Sequence, residues 1–244
     1  VLRPRPVAGR ALRGWRKYAV AAVVLAGLGV AGDRAAAAWT EHRTADAFQK
    51  AQGLKSAPHV EVHGFPVLTQ LAGGTLDRVD IEASDIPAGR DGGRLPITTL
   101  NVELDRLRRS ADASEAHAAS AKATAFVSYQ DLSKALGFEI GYSRDSTKAE
   151  PRVAATTTLP LVGKVGASAR VEVAGDRALA LRSVKVGDDL PKAMRTLVTG
   201  MLERELKLDG IPDGLALKSL TTTADGLTAT LSGEDVTFRT DARA

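Results

Sequence analysis

Two histidines stand four positions apart in the stretch His59 to Gly74, which reads HVEVHGFPVLTQLAGG. On a helix, His-x-x-x-His brings two imidazoles to one zinc ion. Here the β-branched Val60 and Val62 alternate with His59, Glu61 and His63, which is the period of a strand. Four residues along a strand cover about 13 Å, so the imidazoles cannot share an ion, and Glu61 with one histidine lacks a third ligand. A solvated strand face and no metal are expected.

Other chemistry is equally sparse. GASAR at 166–170 is the nearest approach to a Gly-x-Ser-x-Gly elbow. It fails at its last position and lies in an alternating run, where Ser168 faces outward. The only histidines are His42, His59, His63 and His117, and no local motif ties any of them to a serine or an aspartate. GRDGGR at 89–94 lacks the lysine and the following helix of a phosphate loop. With no cysteine, thiol catalysis, disulfides and cysteine-based metal sites are excluded. No cofactor is expected.

The elements that must position any site follow from periodicity. Leu100, Val102 and Leu104 alternate with polar residues, as do Val165 to Val173 and Leu227 to Leu231. Sheets with one wet and one covered face, paired antiparallel, satisfy that pattern. Helices are expected over Arg34–Leu54, with Trp39, Ala45, Phe48 and Ala51 as a weak apolar stripe, and from Ser128, whose spacing to Asp131 is that of a capping box, to Gly137. A stronger helix is expected over Leu190–Leu208, capped by Asp189, with Pro191 in its first turn and a broad apolar stripe. LALRSV at 179–184 and LALKSL at 215–220 echo each other across it. One echo is too little for a repeat array.

Charge is distributed unevenly along the 244 residues. Of 33 basic residues six fall in the first 17 positions, where there is no acid, so 27 remain against 29 acidic ones. The sequence pI of about 9.4 therefore reflects the N-terminus, and nucleic-acid binding loses its electrostatic support. After the cations comes Tyr18–Gly32, YAVAAVVLAGLGVAG, without a charge. A basic flank before an apolar run is the grammar of a signal or an N-terminal anchor, and the run is shorter than the roughly 20 residues of a full span. Residues 1–33 are thus expected to form a basic, membrane-targeting head. Residues 34–244 are expected to form one exported domain on the extracytoplasmic side.

Three motifs in order carry a resemblance. HVEVHGFPVLTQLAGG leads into TLDRVDIEASDI as strand, GFP turn, short helix, Gly-Gly and strand. VSYQDLSKALG at 127–137 supplies a Tyr-x-Asp-Leu helix start, and LDGIPDGLALKSLTTTADGLTATLSGEDV at 208–236 a Leu-Pro-x-Gly-Leu pattern before two strands. In this order they resemble the LmeA-like family of exported actinobacterial proteins over roughly residues 33–240. Ile211 and Val67 stand where that family commonly has Leu and Phe. The resemblance implies an α+β, tubular lipid-binding-like fold, in which an elongated curved antiparallel sheet or half-barrel wraps on long helices around an apolar cavity for acyl chains. One branch of the family is credited with phospholipase A activity and with maintaining mannosylated envelope lipids. It implies no catalytic residue here.

The expected function is therefore a membrane-associated phospholipid-binding protein of the cell envelope, acting in lipid maintenance or transfer. The expected partners are phospholipid or glycolipid acyl chains, and the membrane through the N-terminal segment. A phospholipase A on the same fold and a non-catalytic structural domain are the alternatives. Phe65, Leu68 and Leu71 of the GFP turn, with Met194, Leu197, Val198, Met201 and Leu202 of the long helical stripe, are the expected lipid-binding residues.

Overall fold

The computed structural model describes residues 12–52, 54, 56–87, 96–110, 115–159, 163–187, 190–208 and 211–239. The 89–94 segment and Asp189, both read from the sequence above, lie outside the described residues.

Helix α1 runs unbroken over Leu12–Gln52, through the boundary at residue 33 that the charge pattern suggests. Every described side chain from residue 26 to 32 is exposed; then Asp33 is buried and the helix joins the body. Its buried face is made of small or polar side chains, Asp33, Ala37, Thr40 and Ala45, at three- to five-residue intervals. The expected stripe through Trp39 is corrected: Trp39 is exposed, with the Arg43 guanidinium 5.1 Å from its ring centre. An indole would hold the helix too far from the strand it covers, whereas alanines allow close approach.

Strand β1 (His59–His63) buries Val60 and Val62 and exposes His59 and Glu61, as the alternation requires. A short helix α2 (Val67–Ala72) follows, with Pro66 at its N-cap and Gly73 at its C-cap. Then come β2 (Thr75–Ile86), β3 (Ile97–Arg109) and β4 (Glu115–Ser128). Helix α3 (Tyr129–Leu136) has Ser128 as N-cap, accepting from the Asp131 backbone N–H, and Gly137 closes it at φ 78°. Next are β5 (Glu139–Tyr142), β6 (Arg152–Leu159), β7 (Gly163–Val173), β8 (Ala178–Val186), α4 (Lys192–Leu202), β9 (Arg204–Lys207), β10 (Asp213–Thr222) and β11 (Gly226–Arg239).

The helix expected to reach Leu208 stops at Leu202, and Arg204–Lys207 is a strand instead. Leu206 pairs with Leu179 at the edge of a sheet, so tertiary pairing overrides local helix propensity. The two echoing segments fall on β8 and β10, one in each of two sheets.

All described pairings are antiparallel. A six-stranded sheet has the order β1-β2-β3-β4-β11-β10 and a five-stranded sheet the order β5-β6-β7-β8-β9. One core cluster includes inward residues of both, among them Val79 and Leu231 of the first and Val153 and Leu179 of the second. Four non-glycine residues have left-handed backbones, Asp85, Arg106, Ser183 and Asp235, each skipped in the strand pairing, and at Ser183 and Asp235 the register also shifts. An extra residue at such a position bends the strand and raises its twist. Arg106 and Asp235 flank β4 from either side at the same level, where the β3–β4 and β11–β4 ladders each skip a pair.

Both free edges of that sheet are occupied. The Val62 N–H at the β1 edge donates to Glu41 of α1 at 3.0 Å. At the other edge, the Leu217 N–H of β10 donates to the Asp176 carbonyl, between β7 and β8, at 2.8 Å. Unpaired edges invite association with other chains, and here helix and second sheet cover them. Close approach of β10 to β11 depends on Gly233, where a Cβ would overlap the carbonyl oxygen of Gly214.

The α3 cap is a four-part network. Ser128 Oγ donates to Asp131 at 2.7 Å, Thr98 Oγ1 donates to the same oxygen at 2.8 Å, and the Ser128 N–H donates to Thr98 Oγ1 at 2.8 Å. The hydrogen bonds from Ser128 and then Thr98 hold the Asp131 carboxyl below its ordinary range. Loss of an N-cap hydroxyl costs about 1 kcal/mol, so Ser128→Ala lowers the melting temperature at neutral pH. A carboxyl depressed by folding stabilises fully above its unfolded pKa, near 4, and ceases to do so as pH falls through the lower folded value. The deficit of Ser128→Ala against the native chain therefore narrows below about pH 4, measured by thermal unfolding over a pH series.

Candidate functional site

The inner face of the six-stranded sheet is uneven in side-chain size. Leu104, Val102 and Leu100 of β3 lie opposite Ala121, Ala123 and Ala125 of β4. On the other side of β4, Leu231, Ala229 and Leu227 of β11 lie opposite Ala123, Ala125 and Val127. A row of methyl groups between longer side chains leaves a trough. The trough becomes a cavity of about 250 Å³.

Phe48 of α1, Ile86 of β2 and Ile97 of β3 line one end of it, where Leu54 packs on the same group. Leu179 of β8, with Leu208, Ile211 and Pro212 of the segment joining β9 to β10, lines another part. Leu227 and Phe238 both contribute from β11, and the strand between them spans at most roughly 36 Å. All eighteen described lining residues are Ala, Val, Leu, Ile, Phe or Pro, so among the described residues the wall offers no nucleophile, acid, base or metal ligand.

Polar groups that resemble catalytic parts lie on the opposite face. His63 Nε2 is 2.8 Å from Asp80, and Asp80 also accepts from Arg78 at 3.0 Å. Burial opposes ionisation of Asp80, but the hydrogen bonds from Arg78 and His63 outweigh it and hold the carboxyl below its usual range. A serine of this face, Ser120, donates instead to Asp105 at 2.8 Å. His63, Arg78, Asp105 and Ser120 form one row across β1, β2, β3 and β4. Three strand spacings of about 4.8 Å separate the histidine from that serine, roughly 14 Å. No triad is assembled there, and the sheet stands between this row and the cavity. Ser168 of GASAR is half-buried and accepts from Arg152 at 3.3 Å. Among the described residues no three His, Asp or Glu gather as a metal site.

None of the seven expected lipid-binding residues with described side chains lines the cavity. Phe65, Leu68 and Leu71 come together on and beside α2 but are exposed. On α4, Leu197 is exposed, Val198 buried, and Met194 and Leu202 half-buried; the Met201 side chain lies outside the described ones. Most of the residues that do line it sit on β3, β4, β10 and β11. The signal that marks those of β4 is the alternation of Ala123 and Ala125 with Lys122 and Thr124, an inward face of unusually small residues. The Ile211-Pro212 motif quoted above also reaches the wall.

Fold and site together define an α+β protein of open antiparallel sheets with an apolar internal cavity. A family model for LmeA-like phospholipid-binding proteins matches residues 31–232. The chain belongs to that family. Searches of curated proteins and of solved structures returned no match.

A hollow and a filled wall respond differently to added volume. Ala125→Leu places methyl groups in free space and changes stability by less than about 1 kcal/mol, whereas Ala121→Leu, on the same strand face but outside the cavity lining, overpacks and costs about 1–3 kcal/mol. Chemical denaturation of the two variants against the native chain checks the difference.

Proposed function

We propose that the protein binds a phospholipid by taking one acyl tail into the cavity, at the extracytoplasmic face of the cell membrane, in envelope lipid maintenance or transfer. One observation carries this reading: a cavity whose described lining is wholly apolar, in a chain of a phospholipid-binding family. A methylene occupies about as much space as a water molecule, ~30 Å³, so the cavity admits on the order of eight of them. At ~0.8 kcal/mol each, that is about 6 kcal/mol of gross transfer from water, enough to retain a tail without any polar anchor inside. The headgroup stays outside, since nothing in the wall can satisfy a phosphate. Export is supported by the cationic head followed by Tyr18–Gly32.

Native mass spectrometry of the full chain after gentle purification is expected to show co-purified phospholipid. Ala125→Trp fills the trough and is expected to reduce that lipid severalfold while the melting transition is kept. A native chain that carries no lipid, and takes up no fluorescent acyl probe, overturns the reading. Free fatty acid appearing from added phospholipid would point to a hydrolase instead.

A further inference from the structure

The level at which α1 leaves the body has three features that the cavity does not use. First, the helix there is apolar on all sides and exposed on all sides. Residues 26–32 contain only Ala, Gly, Leu and Val, with Leu28 65% and Val30 46% exposed. A helix that is apolar all round belongs in an apolar surrounding. Among the described residues no helix is long and apolar enough to cross a membrane, so the segment does not by itself define a span.

Second, α2 is fixed beside this exit. The buried Asp33, the first α1 residue within the body, accepts from the Leu68 backbone N–H at 2.8 Å. Gln70 adds two ties: it donates to the His63 carbonyl at 3.3 Å and accepts from the Asp77 N–H at 2.7 Å. Val67 alone of α2 is turned fully inward, and Phe65, Leu68 and Leu71 stand 58, 48 and 36% exposed. These ties spend a buried carboxyl on holding an apolar knob out in water, which a soluble surface has no use for.

Third, the same end of the sheet is basic. Gly73 and Gly74 connect α2 to β2, whose first residue, Thr75, pairs with Arg108 of β3. Arg106, Arg108 and Arg109 are all exposed. Nearby carboxyls are already engaged: Glu115 lies 3.1 Å from Arg239 and 3.4 Å from His117, and Asp213 is 2.7 Å from Arg177. Among the described residues Asp77 stands exposed close by and Asp235 stands exposed at the level of Arg106 across β4, two acids against three arginines.

We propose that Phe65, Leu68 and Leu71, flanked by Arg106, Arg108 and Arg109, form a foot that inserts into the interface of an anionic phospholipid bilayer where α1 meets the membrane. Apolar side chains next to basic ones match the acyl boundary and the charged headgroups of one surface. The foot is separate from the cavity, so it stands or falls without reference to what the cavity holds.

Because the chain has no cysteine, a single introduced one can be labelled uniquely. The full chain carrying Leu68→Cys with an environment-sensitive fluorophore is mixed with phosphatidylglycerol-containing or pure phosphatidylcholine vesicles. Leu197→Cys, at a site 56% exposed on α4, is the comparison, and Leu71→Cys repeats the foot should the first label disturb folding. The expected result is a severalfold, blue-shifted rise at 68 or 71 with anionic vesicles and little change at 197. An arginine near an anionic surface is worth about a fivefold change in binding at low salt, so replacing all three by Gln weakens the response about a hundredfold. Vesicle binding with a silent label at 68 and 71, an equal response at 197, or no binding at all overturns the foot. Undiminished binding of the Gln variant overturns its basic half.

Discussion

An alanine-faced strand between two leucine-bearing strands cannot fill the space in front of it, and the cavity exists because of that. Backbone spacing in a sheet is fixed by hydrogen bonding near 4.8 Å, so β4 cannot move forward to compensate for its short side chains. Void in a protein interior is costly because its lining loses dispersion contacts. The sequence nevertheless keeps Ala123 and Ala125 in register with Val102 and Leu100. The left-handed residues Arg106 and Asp235 lie on either side of β4, and at Asp235 the β10–β11 register shifts, which bends β11 over the trough.

Keeping an open interior shifts the burden of stability to the periphery. The edges are held by directional contacts, with Glu41 on the Val62 N–H at one side and the Asp176 carbonyl on the Leu217 N–H at the other. Tyr129, whose hydroxyl donates to the Thr223 carbonyl at 3.0 Å, ties the α3 start to the β10–β11 turn; burial pushes its phenol up to about 12, so it remains a donor at any ordinary pH. The second sheet supplies Leu179 to the wall and is itself tied together from within. Its buried Arg152 donates to the Ser183 carbonyl at 2.6 Å and to that of Ser168 at 3.2 Å, which locks the β8 bulge to the strands beside it.

Much of this was legible in the sequence wherever a local rule operates. Alternation located β1, β2, β3, β7 and β11, and the Ser128–Asp131 spacing and Gly137 bounded α3 to the residue, because caps and strand faces are set by neighbours in the chain. The cavity was not legible by looking for large apolar stripes. Such stripes mark surfaces that fill space, and a hollow is made by residues that fail to fill it. The broad stripe of Leu190–Leu208 thus pointed away from the wall, and part of it became the edge strand β9, which only a partner strand could specify. The buried face of α1 was hidden for a related reason, since Asp33, Ala37 and Thr40 carry little hydrophobic signal.

The lack of polar groups in the wall also constrains how an acyl tail would enter and leave. Six or so kcal/mol favours the cavity over water, but a phospholipid starts in a bilayer, whose interior is as apolar as the cavity. Moving a tail from one to the other is then close to neutral, and the tail can return. A binding site that draws no net energy from chain transfer suits exchange better than storage. Selectivity for a headgroup must come from outside the wall, because Leu, Val and Ala distinguish only length and shape. An apolar cavity with a bare lining and a fixed, curved sheet is thus the minimal device for holding a tail out of water while its polar end stays at a surface.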